Sequence, residues 1–138
     1  METTPTTYTV TINVATMGHP KTDGTVSSSG HMWITLSDGT SMGYGLEGVT
    51  GDDDAIYEPN GLRKIAVTLT EAQYNKLLHF RDNPAEFGFE AGRYVPVMND
   101  CIDYVWKALI FTDLVNPIGY VLYESLILRQ PFNSFPKE

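Results

Sequence analysis

One cysteine and three histidines carry most of the nucleophilic and proton-transfer chemistry that this 138-residue chain offers. Cys101 lies in "VPVMNDCIDYVWKAL", where a Pro-containing stretch gives way to Ile102, Val105, Leu109 and Ile110 at helical spacing. The spacing predicts a helix that begins at Cys101, with Asn99 or Asp100 as its cap. A thiol there has its anionic, nucleophilic form favoured by the helix dipole, and the unpaired first-turn N–H groups around Asn99, Asp100 and Cys101 suit an oxyanion. The competing reading is a small buried core residue, the commonest fate of a free cysteine.

A nucleophilic cysteine needs a base within hydrogen-bond reach, normally a histidine. His79 falls inside an amphipathic helical pattern and reads as a surface or boundary residue. His19 precedes Pro20 in a Gly/Ser-rich loop, where exposure is the expectation. His31 opens the strand "HMWITL", whose alternation puts His31, Trp33 and Thr35 on one face and Met32, Ile34 and Leu36 on the other. The second face is core; the first, an imidazole beside an indole and a hydroxyl, suits the wall of a cleft.

The residue that would orient the imidazole depends on the following turn. A two-residue Asp38-Gly39 turn sets Trp33 opposite Tyr44 and puts Tyr44 on the His31 side. A three-residue Ser37-Asp38-Gly39 loop puts Ser41 and Gly43 there instead. Both registers remain open from sequence. Asp38 and Asp100 have ready work as turn and cap. The run Asp52-Asp53-Asp54 lacks the spaced ligands of a calcium loop and reads as a solvated acidic loop. Met32, Met42 and Met98 read as core or cleft lining.

The elements that must position these groups follow from the pattern. "TYTVTINVAT" alternates with a period of two and predicts a strand, "GHMWITLSDGTSMGYG" a hairpin, and "LRKIAVTL" a further strand. "LEGVTGDDDAIYEPNG" between them reads as a polar loop. Thr70 and Gln73 form a capping-box pattern for a helix from Glu71, with Tyr74, Leu77, Leu78 and Phe80 on its apolar face. "RDNPAEFGFEAGRYVPV" reads as loop, and "NPIGYVLYESLILRQ" as a last helix or apolar segment. Strand, hairpin, strand and then helices make an α+β chain with an antiparallel sheet packed against helices.

Composition bounds the function. With 42% hydrophobic residues and no repeat or linker, residues 1–138 read as one folded domain. A net charge of −8 without Lys/Arg clusters argues against a nucleic-acid partner and an anionic membrane surface, and leaves room for a basic protein partner. A single cysteine excludes an intrachain disulfide and a multi-cysteine zinc site; no cofactor motif is present, and none is expected. The first residues lack a signal-peptide pattern and no run approaches a transmembrane span. The expectation is therefore a chain made in the cytoplasm, with no stable membrane insertion and any delivery elsewhere left to a secretion system.

"GHMWITLSDG" early and "NDCIDYVWKAL" late resemble the circularly permuted branch of the papain-like, NlpC-type cysteine hydrolases, which includes the lecithin:retinol acyltransferase-like proteins. The resemblance covers Gly30 to Gly39 and Asn99 to Leu109. It implies a permuted papain-like fold, with Cys101 as nucleophile and His31 as general base. It also implies a peptide or amide substrate, the murein peptide foremost, with a lipid acyl group as the alternative. Some members of the superfamily are bacterial toxin or effector domains, for which the basic partner would be an immunity protein. Two positions depart from the family pattern: Gly43 stands where acyltransferase-like relatives often carry a second histidine, and Asp100 intervenes between Asn99 and Cys101. A binding module with a structural cysteine is the reading outside the enzymes.

Overall fold

A computed structural model describes residues 6–15, 18–27, 30–45, 48–93 and 100–113. The alternating segment near the N-terminus forms β1, Thr7–Ala15, and the hairpin forms β2, His31–Thr35, and β3, Ser41–Gly45. A short β4, Gly48–Thr50, and a long β5, Arg63–Thr70, complete a sheet of order β4-β3-β2-β1-β5 with every pairing antiparallel. The helices are α1, Asp53–Ile56, α2, Glu71–Asp82, and α3, Cys101–Phe111, with a 3-10 turn at Pro84–Phe87. The α+β architecture expected from the sequence is the one observed. Among the described residues no helix is long and apolar enough to cross a membrane. The apolar segment "NPIGYVLYESLILRQ" and Met98 lie outside the described residues.

The hairpin turn selects the register. Leu36 N–H donates to the Thr40 carbonyl (2.7 Å), which encloses Ser37, Asp38 and Gly39 as a three-residue loop. Gly39 takes φ +89°, the left-handed region that such a loop requires. The Asp38 carboxylate accepts from the N–H (3.0 Å) and hydroxyl (2.7 Å) of Thr40. Thr35 therefore pairs with Ser41 and Ile34 with Met42. Ser41 and Gly43 face the His31 side, and Tyr44 faces the core.

Cross-strand partners share a face, so the registers sort the sheet into two sides. Val10, Ile12, Val14, Met32, Ile34, Leu36, Met42, Tyr44 and Leu69 make the core side with Tyr74, Leu77 and Phe80 of α2 and Ile102, Val105 and Leu109 of α3. The capping box of α2 forms as expected: Gln73 N–H donates to Thr70 Oγ1 (3.1 Å) and Thr70 N–H to Gln73 Oε1 (3.0 Å). The other side carries Ala15, Trp33 and Tyr57 as a second, smaller apolar cluster.

The polar loop expected over "LEGVTGDDDAIYEPNG" is instead β4 followed by α1. The three residues of β4 hold their conformation by pairing with Gly43, Tyr44 and Gly45, not through an alternating pattern of their own. The one turn of α1 is held by tertiary bonds from its aspartates. β2 and β3 pair only at Ile34/Met42 and Thr35/Ser41, while α3 packs on both strands and α1 on β3. That unzipped end of the hairpin is where His31, Asp53 and Cys101 meet.

Candidate active site

Cys101 is the first residue of α3 and is 2% exposed. The cap is Asp100: its carboxylate accepts from Ile102 N–H (3.0 Å) and Asp103 N–H (3.3 Å), and Asp103 returns the bond to Asp100 N–H (2.9 Å). Asn99, the other expected cap, lies outside the described residues. The cap consumes two first-turn amides, and Tyr104 N–H closes on the Asp100 carbonyl (3.0 Å). Among the described residues the Cys101 N–H is the first-turn amide left over, beside its own sulfur, and it is the one that can serve an oxyanion.

His31 starts β2 with its ring 14% exposed. Its Nε2–H donates to Asp53 Oδ2 at 2.6 Å. The Cys101 side chain lies close enough to the same ring to favour its charged form. With Nε2 engaged by Asp53, Nδ1 is the ring nitrogen that the carboxylate does not take. Tyr57 and Trp33 stack against the imidazole, each with its centroid 5.4 Å away. The ring is thus fixed in plane by aromatic contacts and in rotation by a carboxylate.

Asp53 is 2% exposed. Its Oδ1 accepts from Thr50 Oγ1 (2.7 Å) and Ser41 Oγ (3.3 Å), and its own N–H donates to Ser41 Oγ (3.0 Å). A Cβ at position 43 would collide with Asp53 Oδ2, so Gly43 makes the space that the carboxylate fills. Gly43 is thus the seat of an aspartate from another element.

The electrostatics follow from this packing. Burial opposes a charge on His31, but the Asp53 carboxylate and the Cys101 sulfur outweigh it and hold the ring up at about 9. Burial would raise the Asp53 carboxyl, yet the hydrogen bond and charge of His31, with Thr50, keep it below the ordinary carboxylate value. The pair is ionised across the neutral range. The His31 contribution to stability is complete below its unfolded value of 6.5 and fades as pH climbs through about 9. The Asp53 contribution is present above its unfolded value of 3.8 and is lost as pH falls through the lowered one. Burial, with Cys101 and Asp53 close by, pushes the Tyr57 hydroxyl up to about 12, so it stays protonated.

No family model matches the chain, and no curated protein or solved structure does either.

The structure brings Cys101 and His31 together and supplies a third partner that the sequence reading missed. Of the two candidates for the orienting role, Ser41 reaches the imidazole only through Asp53, and Tyr44 packs in the core with its hydroxyl donating to the Glu90 carbonyl (2.9 Å). The aspartate run is not a solvated loop: Asp53 binds His31, and Asp54 Oδ1 accepts from Trp33 Nε1 (2.8 Å) and Thr35 Oγ1 (2.9 Å). Ile56 and Tyr57 just after the aspartates were the available signal, since apolar residues there anchor the segment on the sheet. His19 is also not exposed; it is buried, and its ring Nε2 bonds the Glu58 carbonyl (2.7 Å). His79 lies at the surface against Glu86 (2.6 Å), as expected. Met32 and Met42 are core.

Proposed function

We propose that the chain is a cysteine hydrolase that cleaves an amide or peptide bond, with Cys101 as nucleophile, His31 as base and Asp53 as the residue that orients His31. The observation that carries this reading is one imidazole set between a buried carboxylate on Nε2 and a sulfur at a helix N-terminus. The order of the two residues, His31 before Cys101, agrees with a circularly permuted papain-like arrangement.

In the first step Sγ, its proton already carried by His31, bonds to the carbonyl carbon, while the Cys101 N–H faces the developing oxyanion. The C–N bond then breaks, its electron pair leaves with the amine, and His31 protonates that nitrogen. Water attacks the thioester carbon as His31 takes its proton; the C–S bond breaks with its electron pair on sulfur, and the acid is released. Asp53 holds Nε2–H throughout, so Nδ1 is the nitrogen that gives and takes the proton.

The murein peptide is the substrate class we favour, on the resemblance alone, and the acidic surface suits a basic protein partner such as an immunity protein. Muropeptides and phospholipid vesicles are the two substrate arms that separate amide from lipid acyl hydrolysis. Cys101→Ala should abolish turnover, a loss of a thousandfold or more, while leaving the melting temperature nearly unchanged. Undiminished turnover in that variant contradicts the proposal.

A second reading has one observation in its favour: Cys101 is only 2% exposed, as a structural thiol in a binding module would be. Iodoacetamide separates the two. A nucleophile reacts in the folded protein, whereas a structural thiol reacts only in denaturant.

A further inference from the structure

The polar side of the sheet carries a cavity of about 220 Å³ next to the candidate catalytic ring. Thr11, Asn13 and Thr35 make its floor, and Tyr57, which stacks on His31, makes a wall shared with the site. Asp54 and Lys64 line it with opposite charges. Its size is below the roughly 300 Å³ where pockets for whole small-molecule ligands begin, and suits a single residue.

The floor is built rather than incidental. Asn13 is 1% exposed, and its Nδ2–H donates to Thr35 Oγ1 (2.8 Å), whose own hydroxyl donates to Asp54 (2.9 Å). This chain of bonds fixes the Asp54 carboxylate, which Trp33 Nε1–H also holds (2.8 Å). Among the described residues Asn13 Oδ1 accepts no hydrogen bond, although the side chain is buried and lines the cavity.

The two charges face each other across β1. Asp54 is tied to β2, and Lys64 rises from β5 as the cross-strand partner of Asn13. The strands that hold them, β2 and β5, lie two strand spacings apart, about 10 Å, on either side of β1. They form no ion pair with each other, and among the described residues Lys64 has no acidic partner. A cation and an anion held apart over a polar floor are complementary to a group that carries both charges.

We infer that this cavity binds a zwitterionic amino-acid head group, with its ammonium on Asp54 and Asn13 Oδ1 and its carboxylate on Lys64. As a substrate subsite it rests on the hydrolase reading, with Tyr57 joining head group to scissile bond; as a binding site it does not.

The test is a titration of L-alanine into ¹⁵N-labelled Cys101→Ala protein, followed at the Trp33 indole N–H, with Trp106 as the internal reference. The expected result is a saturable shift of Trp33 alone. N-acetyl-L-alanine, L-alaninamide and the Lys64→Gln variant should each weaken it roughly tenfold or more, the effect of losing one charge-assisted bond. Lys64 is exposed, so the variant should keep the wild-type spectrum elsewhere. Absence of a saturable shift, or equal affinity for all three ligands and for Lys64→Gln, overturns the inference. In the wild type, competitive inhibition of hydrolysis by L-alanine places the head group on the substrate, and altered turnover without competition places it on a free effector. Binding without any hydrolysis leaves the cavity assignment standing and removes the hydrolase reading.

Discussion

Met32, Ile34 and Leu36 on one face of β2 and His31, Trp33 and Thr35 on the other come from one six-residue segment, and both faces are largely covered. What covers them differs. The apolar face meets α2 and α3, where any well-shaped hydrocarbon serves and the stabilisation scales with area. The polar face meets Asp53, Asp54 and Tyr57, and each contact is a directed bond or a ring stack. One side of the strand holds the fold together; the other holds particular atoms in particular places. Substitutions should therefore separate into those that cost stability and those that cost geometry.

The largest stability effect belongs on the apolar face. Phe80, fully buried among Phe87, Phe89 and Tyr104, should lose about 3–5 kcal/mol on truncation to Ala, measured by chemical denaturation. A loss under about 1 kcal/mol would mean that this face is not the core described here.

A smaller and different effect is expected at Gly43, on the polar face. Gly43→Ala places a methyl group where Asp53 Oδ2 sits, so the carboxylate must move off His31. Thermal stability should fall modestly, by about 1–3 kcal/mol as in other overpacked sites, whereas the bond to His31 should be lost. If hydrolysis is the activity, turnover should drop far more than stability does. A variant that loses both in proportion would show that the polar face is ordinary packing.

The same contrast explains what could be read from the sequence. The apolar face is written in local periodicity: alternation along β1, β2 and β5 and the capping box at Thr70 each need only neighbouring residues. The first two members of the site were also legible, because a strand-opening His31 and a helix-opening Cys101 are local signals. The third was not. Asp53 reaches His31 only because a three-residue turn puts Gly43 beside it, β2 and β3 part beyond Ile34/Met42, and Tyr57 pins α1 to the sheet. None of those conditions is visible within the run Asp52-Asp53-Asp54, whose composition matches a solvated loop. His19 failed for the same reason, since the Glu58 carbonyl that buries it lies far along the chain.

The central claim is that Asp53 and Cys101 act together on His31, and the titration of that ring measures it directly. Following the His31 ring by NMR in wild type and in Asp53→Asn, the account predicts a wild-type midpoint near 9 and a marked fall in the variant. With the carboxylate gone, burial acts against the charge with only the sulfur left to oppose it. A wild-type midpoint near the ordinary 6.5, unchanged by Asp53→Asn, would contradict it.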